Sequence, residues 1–308
     1  MQRILIILIT ILLFPVLTQA QKWKRNRVEY SFGIGATNFL GDLGGANQVG
    51  TNGMKDLEIR ATRMGAVLGY RYQLGRDWFV RGNFNYVMVS GDDALTEEPA
   101  RSARKLSFRS HLLELSGQME YMLVKQKSGH LYRLRGVRGK SWFRFEVYLF
   151  GGIGGLWYNP QSRNPDGDWV SLKNLNTEGQ GLPGGPKDYS GLTVVVPYGI
   201  GLRRNLGGSV RQGMWTLGIE LSMRKTFSDY IDDVSGYYYN DPEKSPSAIA
   251  EAYGEEALYF HDPSGVYNLD GFGEPQQRGD KSDKDAYMMG IISLNYKIGR
   301  RRRNLPKF

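Results

Sequence analysis

The chemistry-bearing residues are few. The 308 residues hold three histidines, His111, His130 and His261, and no cysteine. Without thiols there is no disulfide framework, no thiolate metal site and no cysteine nucleophile. His261-Asp262-Pro263-Ser264 sets three catalytic residue types side by side. Adjacent residues cannot generally adopt a triad geometry, and Asp-Pro-Ser-Gly is ordinary turn sequence. Asp229-Tyr230-Ile231-Asp232-Asp233, with Asp241 nearby, offers oxygen ligands to a hard cation, but the spacing is not that of an EF-hand. A solvated acidic junction is the plainer expectation. No GxSxG, Walker A or HExxH string occurs. The residues therefore predict no catalytic centre, metal or cofactor.

The elements that would position such residues read as strands. The composition holds 40 Gly and 19 Tyr, and 40 Lys and Arg stand against 31 Asp and Glu, a formal charge of +9. Met1 to Ala20 has an early Arg3, an apolar run from Ile4 to Leu17 and a Thr18-Gln19-Ala20 cleavage site. That is the pattern of a secretory signal peptide, and the run is short of the roughly 20 residues a spanning helix needs. Residues 21–308 are expected to form one domain, and export argues against a nucleic-acid partner.

Period-two alternation marks eight segments: 28–36, 63–74, 78–90, 105–123, 142–158, 192–204, 213–227 and 286–299. In 105–123 the apolar set moves from even positions (Leu106, Phe108, Leu112) to odd ones (Leu113, Leu115, Met119, Tyr121, Leu123), which predicts a β-bulge near Leu112-Leu113. Most segments run 10–15 residues, longer than the ~5–6 of a soluble sandwich and suited to the ~9–11 of a tilted membrane strand. The fold class expected is all-β: a transmembrane up-and-down antiparallel barrel of about eight strands, with aromatic girdles from Trp78, Trp142, Trp157, Tyr158, Trp215, Tyr287 and Tyr296. Gly33-Ile34-Gly35 and Gly151-Gly152-Ile153-Gly154-Gly155 then sit in strands, where glycine relieves crowding, and are not phosphate loops.

Connections alternate as such a barrel requires. Segments 38–62, 91–104, 159–191 and 228–285 are the long outer ones. Segments 21–27, 124–141, 203–211 and 297–308 fall on the periplasmic side and hold nineteen Lys and Arg with no Asp or Glu. By contrast, 230–285 holds thirteen Asp and Glu against four Lys and Arg. The basic side suits anionic lipid headgroups or an acidic periplasmic partner. The docking residues expected are Lys125, Lys127, Arg133, Arg135, Arg138 and Lys140, with Arg300, Arg301, Arg302 and Arg303.

Inward positions carry Glu29, Glu114, Glu120, Glu146 and Glu220 with Arg71, Arg81, Arg109, Arg144 and Arg224. Five acids facing five bases in a narrow barrel should pair and fill the lumen, because unpaired buried charge is very costly.

Certain strings are more specific. Asn38-Phe39-Leu40-Gly41-Asp42-Leu43-Gly44-Gly45 closes the first segment. Phe108-Arg109-Ser110-His111-Leu112-Leu113-Glu114-Leu115, Gln118-Met119-Glu120-Tyr121 and Pro197-Tyr198-Gly199-Ile200-Gly201 follow. Gly218-Ile219-Glu220 and Arg224-Lys225-Thr226-Phe227-Ser228-Asp229-Tyr230-Ile231-Asp232-Asp233-Val234-Ser235 complete the set. Together they resemble the PorG-type outer-membrane barrels associated with the type IX secretion system. The resemblance implies a non-catalytic component of the outer membrane of a Gram-negative bacterium, surrounded by lipid. It implies contact with a periplasmic ring lipoprotein and associated subunits of a secretion and gliding machine. It carries over Gly41, Asp42, Arg224, Asp229, Tyr230, Asp232 and Asp233 as pattern positions that shape the outer strand ends. A surface adhesin or ligand-binding barrel, and a small pore, are the alternative expectations.

Overall fold

The computed structural model describes residues 26–43, 59–96, 99–125, 145–209, 213–239, 247–265 and 276–299. Nine strands form: β1 (Val28–Leu40), β2 (Arg63–Gln73), β3 (Trp78–Asp92), β4 (Ser107–Val124), β5 (Glu146–Arg163), β6 (Trp169–Ser171), β7 (Leu192–Ser209), β8 (Gly213–Thr226) and β9 (Ala286–Lys297). Three short helices accompany them: α1 (Pro99–Arg104), α2 (Ser247–Tyr253) and α3 (Glu255–His261). All strand pairs are antiparallel, and each of the eight long strands pairs with its sequence neighbour. Pairing of β1 with β9 from Glu29↔Lys297 to Leu40↔Ala286 closes the sheet. Closure leaves no long open edge. The ninth strand, β6, is a three-residue hairpin partner to the free upper end of β5.

Alternation decides which face is which. Ile34, Leu68, Phe84, Leu115, Ile153, Ile200, Ile219 and Ile292 point outward, one from each long strand, each at least 43% exposed. The signal is their contiguity, since scattered exposed apolar residues would mean little. Trp78 packs on Tyr121 and Trp215 on Tyr296, both pairs on the outer wall near the short-turn end. Trp157 also points outward, but Tyr158 and Tyr287 are buried inside and hydrogen-bonded, so they are not girdle residues. Trp142 lies outside the described residues.

The expected bulge at Leu112-Leu113 is absent. β4 pairs with β3 in unbroken register from Ser107 to Tyr121, and the only irregularity between β4 and β5 falls at Met122/Val124. Even positions face inward throughout; what changes is the interior. Near the long loops it is apolar, where Phe39, Val67, Val87, Val89, Phe108, Leu112, Leu156, Val195 and Met289 meet the loop residues Leu43, Ile231 and Val234 in one cluster. Lower down it is polar. Leu112 is therefore inward because it lines this apolar upper chamber.

Two strands also exceed their expected bounds. β5 begins its described part at Glu146 and runs on to Arg163. Pro160 lies between the last β7 pair at Trp157 and the first β6 pair at Gln161, so it interrupts neither ladder. β7 continues to Ser209, with an irregularity between Asn205 and Gly207. Glycine makes room for the large inward side chains. A Cβ on Gly201 would lie 2.2 Å from the Tyr148 ring on the neighbouring strand. Gly201→Val should therefore destabilise the folded barrel by about 1–3 kcal/mol, measured as a lower urea midpoint in detergent micelles; an unchanged midpoint would contradict this packing.

Candidate functional site: the lumen and the cap

The lower lumen is filled by charged side chains. Arg203 donates to Glu29 at 2.5 Å, and Arg71 reaches the same carboxylate at 3.1 Å. Arg71 also pairs with Glu120, which Arg81 Nε meets at 3.1 Å. Arg81 in turn clasps Glu220 with both terminal nitrogens and donates to Gln118 at 2.7 Å. The Tyr148 hydroxyl completes this end by donating to Glu220 at 2.6 Å. The result is one alternating chain, Arg203–Glu29–Arg71–Glu120–Arg81–Glu220, that crosses the lumen through six strands. Above it, Arg224 pairs with Glu114 at 2.8 Å, and that carboxylate also accepts from Tyr287 and Ser116. Aromatic faces shield the guanidinium groups, as with Arg71 at 3.7 Å from the Phe79 ring centre.

Not every expected lumen residue joins. Arg109 is on the outer wall, because β4 keeps its phase; it donates to Gln161 and lies 3.5 Å from the Trp169 ring centre. Glu146 is half-buried at the lower mouth. Arg144 lies outside the described residues. Arg203, expected in a periplasmic connection, is a buried member of the chain. Its signal was the continued alternation of outward Ile200 and Leu202, which the Arg203-Arg204 pair masked as a turn. Lys297 is also partly internal, donating to Gln73 at 3.4 Å.

Among the docking residues, Lys125 is described: it forms an ion pair with Asp77 and donates to the Arg76 carbonyl at 2.7 Å. Lys127, Arg133, Arg135, Arg138, Lys140 and Arg300 to Arg303 lie outside the described residues, as do the proposed signal peptide and His130.

At the long-loop end the pattern carboxylates tie separate segments together. Asp232 accepts from Leu43 N at 3.1 Å and Val234 N at 3.0 Å. Asp42 accepts from Asp280 N at 2.8 Å, and Asp285 from Ile231 N at 2.8 Å. Asp229 accepts from the Ser235 hydroxyl at 2.7 Å. Asp233 takes the hydroxyls of Thr177 and Tyr189 and has a left-handed φ of 65°. Tyr230 stacks on Tyr189 with centres 4.4 Å apart. Gly41 is required by space, since a Cβ would lie 2.5 Å from both Asp285 and the Phe39 ring. Arg278, which the sequence did not single out, joins Glu178 at 3.0 Å and the Asp233 carbonyl at 2.7 Å. Arg104 bonds Asp93 at 3.0 Å. These hydrogen bonds make the cap a network of carboxylates on backbone N–H groups, with no group of three or more His, Asp or Glu among the described residues arranged to hold a metal ion.

The histidines have local partners. Buried His261 lies with Nδ1 2.7 Å from the Thr177 carbonyl, so Nδ1 carries the proton. Ser264 donates to Asp262 within its own turn. His111 is on the outer wall, 2.9 Å from the Tyr86 hydroxyl.

A closed eight-stranded antiparallel barrel with an apolar outer wall, a charge-paired interior and a looped cap is the class these features define. The chain belongs to the family described as Domain of unknown function (DUF6089), whose model matches residues 2–244. No curated protein matches the sequence. Among solved structures it is similar to Ail, the attachment invasion locus protein of Yersinia pestis, solved with the heparin analogue sucrose octasulfate: 11% identity over 88% of this chain and 99% of that one, TM-score 0.35. It is also similar to OprG of Pseudomonas aeruginosa, at 10% identity over 89% and 97% of the two chains, TM-score 0.34. For AlkL the values are 10%, 94%, 97% and 0.31. These likenesses do not bear on function.

Two predictions follow from the two networks. Arg81→Met leaves Glu220 without its guanidinium partner, while Glu120 keeps Arg71, and should cost about 3–5 kcal/mol of barrel stability; the Arg81→Met/Glu220→Gln double variant should recover part of it, read from urea midpoints. In the cap, burial and the neighbouring acids Asp229 and Asp280 push Asp42 up to about 7 from 3.8. Burial also raises Asp232 and Asp285, each with further acids beside it. Raised carboxyls hold protons more tightly when folded, so their contribution is full below about 3.8 and is lost as pH rises through the folded value. Burial and the nearby Arg278 lower His261 to about 4 from 6.5, so its contribution is lost only as pH falls below 6.5. Between pH 6.5 and about 7, above the His261 range, Asp42 loses the last of its contribution and the cap should loosen. Limited proteolysis of the cap should accelerate over that range, and less steeply in Asp42→Asn.

Proposed function

We propose that this chain is an outer-membrane barrel acting as a non-catalytic anchor, and that its place is in a type IX secretion machine. The observation that carries the membrane reading is the belt of outward apolar residues on all eight long strands, which would be exposed to water in any other setting. A spanning structure without long helices must satisfy its backbone by closure, which this sheet achieves. The ion-paired lumen supports an anchor over a conduit. The secretion role rests on the Gly41-Asp42-Leu43-Gly44-Gly45 and Thr226 to Ser235 strings, and docking rests on the basic segments of the short-turn side. Arg203 and Lys297 turn inward and so leave that basic set.

A second reading, a surface ligand binder, is favoured by an open cleft of about 220 Å³ in the cap, lined by Tyr158, Tyr189, Tyr230, Lys281 and Lys284.

The membrane reading predicts that Leu115→Arg, at a 69% exposed mid-strand position, costs about 2–4 kcal/mol for folding into bilayers; a neutral result would remove the membrane assignment. Planar-bilayer recording of the wild-type barrel should show no conductance steps. For the anchor, purification in mild detergent followed by mass spectrometry should return periplasmic ring subunits, and neutralising Arg300 to Arg303 should reduce their recovery. Recovery of only cap-bound surface material, abolished by Lys281→Gln/Lys284→Gln, would favour the second reading instead.

A further inference from the structure

The outer wall changes character above the apolar belt. Across β3, β4 and β5, Tyr86, Leu113 and Trp157 form one apolar row, and the next outward residues up β4 are His111 and Arg109. Twelve residues of β4 separate Arg109 from Tyr121 in the lower aromatic pair. At ~3.3 Å per residue and a tilt of ~40°, that is about 30 Å of height. The apolar band of an outer-membrane barrel is ~25 Å tall, so Arg109 stands about 5 Å beyond its upper edge, at headgroup level.

A second guanidinium meets it there. β6 folds back along β5 and pairs Trp169 with Arg163. The Trp169 ring centre lies 3.5 Å from the guanidinium carbon of Arg109 and 4.8 Å from that of Arg163. One ring therefore holds two like charges near each other. Arg109 Nε donates to Gln161 at 3.1 Å, and its two terminal nitrogens have no partner among the described residues. Arg163 has neither an ion pair nor a hydrogen bond among them, and the acids of the same hairpin, Asp166 and Asp168, pair with neither arginine. Both groups are open to a ligand, since Arg163 is exposed and Arg109 partly so.

We propose that Arg109, Arg163 and Trp169 form a site on the outer wall for the phosphate group of an outer-leaflet lipid. The inference rests on the membrane reading above. Two uncompensated guanidinium groups repel each other, and an anion beside both relieves that repulsion while accepting their N–H groups in the forked geometry that suits phosphate. The height selects a lipid over a soluble anion. With its phosphate at the arginines, the acyl chains run down the wall over Leu113, Trp157 and Ile153. Trp169 is a positioning residue that fixes the direction of both guanidinium groups through its ring face.

The test uses the full-length barrel in detergent micelles and reads bound lipid by native mass spectrometry. The probes are bisphosphoryl lipid A, the same glycolipid stripped of its phosphates, and inorganic phosphate as competitor. The phosphorylated glycolipid should bind at least tenfold more tightly than the stripped one, and inorganic phosphate should not displace it. Arg109→Gln/Arg163→Gln should weaken binding at least fivefold while heat-modifiable gel mobility stays unchanged. Trp169→Leu, which keeps both charges, should weaken it at least twofold. Lys187→Gln, which removes an exposed charge from the loop before β7, should leave it unchanged. Equal binding of the stripped glycolipid, displacement by inorganic phosphate, wild-type binding by the double variant or by Trp169→Leu, or an equal loss in Lys187→Gln would each overturn the site. If Leu115→Arg still carries its folding penalty in those cases, the membrane reading stands and the lipid site alone fails; if the wild-type barrel does not fold into bilayers, the membrane reading fails first.

Discussion

Burying charge in a narrow barrel is the constraint to which the rest of the structure answers. Four guanidinium groups and four carboxylates occupy the lumen among the described residues, and each has an opposite partner. Removing one member of such a set costs more than the set itself contributes. The inward glycines follow from it, because Tyr148 must lie across Gly201 to reach Glu220. So does the strand phase: inward positions must hold the chain's members at matching heights across six strands, and a one-residue slip would send them to the outer wall.

The interior has two storeys, and they explain which parts were legible in the sequence. Where polar inward residues alternate with apolar outward ones, as in β2 and β8, the alternation alone gave orientation. In upper β4 both faces are apolar, so Leu112 and Leu113 looked like a change of phase although the backbone continues unbroken. Arg109 belongs to the same stretch: an arginine on an outer wall above the apolar belt resembles an inward one in pattern, although it lies against Gln161 and Trp169. Arg203 failed for the opposite reason: a double arginine reads as a turn, and only its partner Glu29, 174 positions away, makes its burial tolerable. Long-range ion pairs leave no local signature.

The cap shows a similar division. Asp42, Asp229, Asp232 and Asp233 stood out as a pattern, but type and spacing alone suggested either a cation site or a solvated junction. In space these carboxylates accept hydrogen bonds from backbone N–H groups and hydroxyls. Arg278 and Glu178 had no such prominence, being single charges in loops, and become central only because the cap folds around them.

The seam between β1 and β9 gives those cap bonds a place in time. Asp42 follows β1 and accepts from Asp280, which precedes β9; Leu43 donates to Asp232 across 189 positions. Neither bond can exist while the first and last strands are apart. These two bonds are therefore a latch across the seam, present only in the closed cylinder, whereas the Thr177–Asp233 and Glu178–Arg278 contacts join other loops.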